Sequence, residues 1–418
     1  MATFNRQKPM LQQAKLPNGL TILGEHRPSA QSVAFGFFVH TGARDENHAC
    51  ESGVSHFLEH MVFKGTDKLP AEMVNRLFDD LGCNYNASTG EEVTTFYAAV
   101  LPEYFETVFP LQAAILYPSL REDDFTTEKQ VILEEIAEYA DQPVYVAYDH
   151  VMQLHFREHP LGQPILGTPQ SIQSLTAEQM KTYHREHYLA GNIALVVAGN
   201  FDWDQVLELA SKECGHWPAG ETAHPCRCAA PAAQTVVIAK PALQQQHIMS
   251  ISPAPDSCHR LRYAAEMVSI IVGDDSNSRL YWELVDPGLT DIAEISYSDY
   301  QGCGTWLTYL CCDPEAAEDN WQAVRKVLDE LNTKSFTVEE MEQARNLLAT
   351  RLVSRGEQPM HRMLAIGQNW HSRMEYRSLD DELEALDQVT MADLQNVIRE
   401  FPLRLTSTVS VGPNTATL

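Results

Sequence analysis

Residues 52 to 66 read SGVSHFLEHMVFKGT and place two histidines four positions apart, with a glutamate immediately before the second. On a helical wheel the apolar Val54, Phe57, Leu58, Met61 and Val62 cover one broad face, and His56, Glu59 and His60 share the other. Imidazoles at i and i+4 lie one turn apart and can converge on one cation, roughly 2.0–2.1 Å from each nitrogen. Glu59 points between them, where a carboxylate can act as general base on a water held by that cation. The same pattern also describes a helix with an ordinary polar outer face, since two histidines alone leave a metal site incomplete. A third protein ligand has to come from elsewhere in the chain.

The segment FTTEKQVILEEIAEY, residues 125 to 139, supplies candidates. Glu128 and Glu135, seven residues apart, fall within about 20° of each other on a helical wheel, on the side of Val131, Ile132 and Tyr139. Glu134 and Glu138 project elsewhere. Carboxylates on an apolar face need a partner, because an unpaired buried charge is costly, and a zinc ion would supply one. That selects Glu135 over its neighbour Glu134. A second HxxEH, His155-Phe156-Arg157-Glu158-His159, runs directly into Pro160, which disfavours helical geometry at His159. No Asp or Glu occurs from residue 222 to 255, so a third ligand at comparable spacing is missing, and this copy is read as a decoy. His184 and His187 are only three apart at a helix end and are read as structural.

The elements that must position these residues repeat along the chain. A capped amphipathic helix followed by a buried strand, SLTAEQMKTYHREHYLAGNIALVVAGN, has a counterpart in QVTMADLQNVIREFPLRLTSTVSVGPN, with Thr176 and Thr390 as equivalent caps 214 residues apart. DFTTEKQVILEEI likewise answers SFTVEEMEQARNLL. Residues 214–234 are dense in Pro, Gly and Ala and read as a linker. The expectation is a duplicated α+β domain, with residues 1–213 carrying the zinc site and 235–418 forming a homologous non-catalytic copy. The second copy has no HxxEH, and Asn346 stands at the position of Glu135.

Thirty Lys and Arg against 57 Asp and Glu give a net charge of −27 over 418 residues, which argues against nucleic acid and anionic membranes as partners. The nine cysteines are an odd number without a CxxC pair, and Cys226 and Cys228 are too close for a zinc knuckle. A reducing, cytoplasmic compartment is expected. The N-terminus reaches a turn at Pro17-Asn18-Gly19 without an apolar run, so neither a signal nor a transit peptide is expected, and no apolar stretch is long enough for a membrane helix.

Taken together, the residues resemble the pitrilysin-type zinc metallopeptidases, which include insulin-degrading enzyme and mitochondrial processing peptidase. The inverted motif His56-xx-Glu59-His60 is followed after 74 residues by Glu135. The blocks LPNGLTIL, TGARDE, GVSHFLEHMVFKGT, NAST, EKQVILEEI, HPLGQPILGT and NIALVVAGN stand in family order over nearly the whole chain. The resemblance implies that His56, His60 and Glu135 bind one zinc per chain, that Glu59 activates the water, and that Glu128 supports the site from behind. It implies a mixed, mainly antiparallel sheet packed against helices in each domain. Asn86, Ala87, Ser88 and Thr89 would form an edge strand that pairs with the substrate backbone; read without the family, NAST is an ordinary strand end.

The two-domain size is similar to the processing-peptidase type, in which two chains close around a chamber and cut unfolded or short peptides. In that family the scaffold domain carries an arginine and a tyrosine that hold the substrate backbone. Here Val285 stands where the arginine belongs, Asp291 or Ile292 where the tyrosine belongs, and Gly273 is followed by two aspartates. A heterodimer with a homologous Arg/Tyr-bearing subunit is therefore favoured over a homodimer. The alternatives are a catalytically silent core or assembly subunit of the same fold, or a peptide-binding protein without hydrolysis.

Overall fold

The computed structural model describes residues 11–224, 233–403 and 407–415. Residues 225–232 of the expected linker 214–234, including Cys226 and Cys228, lie outside the described residues.

Two sheets organise the chain. The first has the order β1-β2-β6-β3-β5-β4, with β1 Leu11–Lys15, β2 Thr21–His26, β3 Val33–Val39, β4 Asn84–Thr89, β5 Thr94–Val100 and β6 Ile193–Gly199. Only β2 and β6 run parallel; every other neighbouring pair is antiparallel. The second has the order β7-β11-β8-β10-β9, with β7 Thr235–Ala239, β8 Gln246–Ala254, β9 Ile292–Tyr300, β10 Cys303–Cys312 and β11 Ser407–Gly412. Its one parallel pair is β11 with β7. Both are the mixed, mainly antiparallel sheets that the family resemblance implies. The first hairpin closes at Gly19, whose φ of 105° is accessible chiefly to glycine. Thr176 and Thr390 each close a capping box, with Gln179 and Asp393.

The central strands of the first sheet, VAFGFFV in β3 and IALVVAG in β6, are buried at every residue. Such strands need cover on both faces. Val33, Phe35, Phe37, Ile193, Leu195 and Val197 pack with Phe57, Leu58 and Met61 of helix Val54–Val62 and Val108 and Phe109 of helix Phe105–Ile115. On the other face Ala34, Phe38, Ala194, Val196 and Ala198 meet Met363 and Ile366 of helix Pro359–Arg373. Gly367 lets that helix approach: a Cβ there would stand 2.1 Å from the Phe38 ring.

Compactness thus follows a different division from the contiguous halves of the sequence reading. Among the described residues, one unit takes in those up to Ile136 with Pro164–His224 and Val353–Asp381; the other takes in Ala137–Gln163, those from 233 to Leu352, and those from Glu382 onward. The second sheet is covered in the same way by helix Pro143–Phe156, whose Ala147, Val151, Met152 and Phe156 pack on Met249, Ile251, Val409 and Val411. Each sheet is completed by a helix from the other half of the sequence, because its own half supplies cover for one face only.

Candidate metal centre

The motif helix Val54–Val62 begins at Gly53, which calls for glycine on two counts: its φ is 89°, and a Cβ there would stand 2.6 Å from Leu166 O. Glycine has no capping side chain. Glu46 supplies one from outside: its Oε2 accepts from Gly53 N at 2.8 Å and its Oε1 from Ser55 N at 2.9 Å. Ser55 Oγ in turn lies 2.7 Å from the buried Tyr183 hydroxyl. The motif helix is held against helix Glu122–Ala140 by Phe57, which stacks on Phe125 at 4.6 Å.

That packing brings together residues 68 to 79 positions apart. His60 Nε2 lies 3.5 Å from Glu135 Oε2, and His56 Nε2 lies 3.9 Å from Glu135 Oε1. One ligand atom from each of His56, His60 and Glu135 falls within 4.8 Å of the others, and no other group of this kind occurs among the described residues. Donors about 2.0–2.1 Å from a tetrahedral ion stand roughly 3.3 Å apart, so two imidazoles and a carboxylate at these separations fit zinc with a fourth position left open. Glu134 is exposed, whereas Glu128 is buried and Glu135 half-buried. Val131, placed with them on the wheel, is instead exposed; the helix buries a narrower stripe than its apolar residues would allow.

Glu128 Oε1 lies 2.9 Å from His60 Nδ1, leaving Nε2 to face Glu135. The other Glu128 oxygen meets Lys64 Nζ at 2.5 Å. Burial opposes charge on Glu128, but its bonds to His60 and Lys64 prevail and lower its pKa. For His60 burial again opposes charge, and Glu128, Glu135 and Glu59 outweigh it, so its pKa is raised. Burial and the neighbouring His60 bring His56 down to about 4, leaving its imidazole neutral. Burial pushes the Glu59 carboxyl up, against the pull of Thr89 and His60. The three carboxylates thus favour positive charge at His60, while His56 stays neutral.

Asn86, Ala87, Ser88 and Thr89 lie in β4, an edge strand bonded only to β5. Asn86 and Ser88 are exposed and Ala87 points into the core. Thr89 Oγ1 donates to Glu59 Oε2 at 2.5 Å. The roles of Lys64, Glu46 and the Thr89 hydroxyl are missed by the sequence reading. Lys64 stands one turn beyond His60, which is a signal, but its partner comes from a helix 64 residues downstream.

The second histidine pair does not converge. Helix Pro143–Phe156 ends before Arg157, whose φ is 51°, and His159 is extended and accepts a hydrogen bond from Leu161 N. His155 is buried with Nδ1 3.1 Å from Ser407 Oγ. His184 is likewise buried, with Nε2 2.8 Å from Leu116 O.

Residues 21–169 match the family model of Insulinase (Peptidase family M16) and residues 174–348 that of the Peptidase M16 inactive domain. An uncharacterized zinc protease of Rickettsia felis is 30% identical over 405 residues, covering 96% of this chain and 97% of the relative. The chain belongs to the M16 peptidase family. Among solved M16-like structures, a protease from Helicobacter pylori superposes with a TM-score of 0.89 at 22% identity, covering 97% of this chain and 100% of the other. A structure described as an M16 inactive domain, from Pseudomonas fluorescens, superposes with a TM-score of 0.91 at 19% identity, covering 98% and 99%. These likenesses show the M16 fold. Among the described residues no helix is long and apolar enough to cross a membrane.

Proposed function

We propose that this M16 chain is a zinc metalloendopeptidase acting on unfolded or short peptides. The observation that carries the reading is the convergence of His56, His60 and Glu135 with Glu59 beside them. A silent assembly subunit has no need of that set. His56, His60 and Glu135 would hold one zinc per chain, and the bound ion would supply a Lewis acid that acidifies water and polarises the scissile carbonyl. Glu59 takes the water's proton and passes it to the leaving amine. Glu128 keeps His60 turned so that Nε2 faces the centre. The outer edge of β4 offers backbone groups to an extended peptide, a mode of recognition tolerant of side-chain sequence.

A chamber formed with a second chain belongs to the same proposal, and a homologous subunit bearing the Arg/Tyr pair is favoured. Val285 packs against the core of its own unit, and Asp291 accepts from Gln245 Nε2 at 2.7 Å, so neither offers a donor to a substrate carbonyl. A cytoplasmic setting accords with the free cysteines among the described residues. The deciding experiment is Glu59→Gln: the variant keeps zinc and fold but loses nearly all peptide hydrolysis, and activity within about tenfold of the parent removes Glu59 from the general-base role. Assays of the chain alone and with candidate partners address the dimer; full activity alone, unchanged by any partner, excludes the heterodimer.

A further inference from the structure

Three carboxylates, Glu59, Glu128 and Glu135, are gathered about two histidines, and the buried one carries an unusual counter-ion. Glu128 is only 4% exposed. Among the described residues its ion-pair partners are His60, 2.9 Å from Oε1, and Lys64, 2.5 Å from Oε2. Lys64 reaches inward from a side chain that is one-third exposed, just beyond the end of the motif helix. Its own backbone is tied down: Arg121 Nη2 donates to Lys64 O at 2.5 Å, while Arg121 Nε is held by Asp124 Oδ2 at 2.6 Å at the start of the glutamate helix. Both helices thus contribute to keeping the ammonium where it is.

We propose that Lys64 is a positioning residue for the metal centre: it anchors the Glu128 carboxylate, which orients His60, and so sets the affinity for zinc. This rests on the reading of His56, His60 and Glu135 as zinc ligands. The physical reason is that a carboxylate this deeply buried cannot recover lost hydration, so it needs a fixed counter-charge to remain turned toward His60. With Lys64 in place, one carboxylate oxygen faces the ammonium and the other the imidazole N–H, which leaves the opposite ring nitrogen aimed at Glu135. Without the ammonium, only the His60 contact remains to hold that orientation against the cost of burying an unneutralised carboxylate. Partners behind a metal-bound histidine typically change affinity about 10–100-fold when removed.

The test uses the full chain stripped of metal and measures zinc affinity by competition with a chromogenic chelator, independently of peptide hydrolysis. Lys64→Met is expected to weaken zinc binding about 10–100-fold, and Lys64→Arg to restore most of it. In a Glu128→Gln background Lys64→Met should have little further effect, because the lysine acts through that carboxylate. Melting of the zinc-free proteins checks the fold, with Lys64→Gln as the second neutral variant. Wild-type affinity in a folded neutral variant, or an equal loss in the Glu128→Gln background, overturns the inference. A parent chain that binds no zinc overturns the ligand assignment and this inference together, whereas a loss in Lys64→Met that is not added to the loss in Glu128→Gln supports both.

Discussion

The Thr89 hydroxyl donates to the Glu59 carboxylate at 2.5 Å, joining the edge strand of the first sheet to the motif helix. A residue of the strand proposed to bind peptide therefore also orients the proposed base. Thr89→Val removes the donor while keeping the branched shape. The expected result is a fall in kcat of roughly tenfold, equivalent to about 1.4 kcal/mol, with zinc content unchanged and recovery in Thr89→Ser. Unchanged kcat in the valine variant would show that Glu59 is oriented by other contacts.

The proposed ligand set predicts a contrast between the two histidine motifs. His56→Ala and Glu135→Gln should lose stoichiometric zinc, whereas His155→Ala and His159→Ala should retain it in the folded protein. Metal analysis after gel filtration makes the comparison. Full zinc retention by Glu135→Gln would mean that another group completes the site.

Burial of Glu25 makes a stability prediction away from the metal centre. Its carboxylate, 1% exposed, accepts from Arg362 Nε at 2.7 Å and from the Tyr376 hydroxyl at 2.8 Å. This ties β2 to helix Pro359–Arg373, which covers the first sheet. Glu25→Ala leaves the buried guanidinium without its carboxylate and should destabilise by about 3–5 kcal/mol. A denaturant midpoint indistinguishable from the parent would show that the pair contributes nothing net.

Acid stability should depend on His155. Burial lowers its pKa from 6.5 to about 4 in the folded chain. As pH falls from 6.5 toward 4, the unfolded chain takes up a proton that the folded chain refuses. The stabilising contribution is thus complete above about pH 6.5 and is lost through that window, at no more than about 1.4 kcal/mol per pH unit. Unfolding measured in zinc-free protein at about pH 7.5 and about pH 5 should show a larger loss for the parent than for His155→Gln. Equal losses would show that this histidine does not contribute to the acid response.

The features legible in the chain alone are those that the local repeat of a helix fixes. His56 and His60 stand one turn apart because of their spacing, and the same repeat separates inward Glu128 and Glu135 from exposed Glu134. Pro160 already signals that His159 leaves helical geometry, and Thr176 and Thr390 read as caps from their own neighbours. Each of these depends on residues within a turn or two. The contacts that complete the centre do not. Lys64 with Glu128, Thr89 with Glu59, and Glu46 with the start of the motif helix are made by groups brought together from different elements, with no periodicity to announce them. The exchange of covering helices was equally hidden, since an apolar stripe on Pro359–Arg373 says that it must be buried but not on which sheet. Gly367 seated against Phe38 decides that, because only tertiary packing tests whether two surfaces fit.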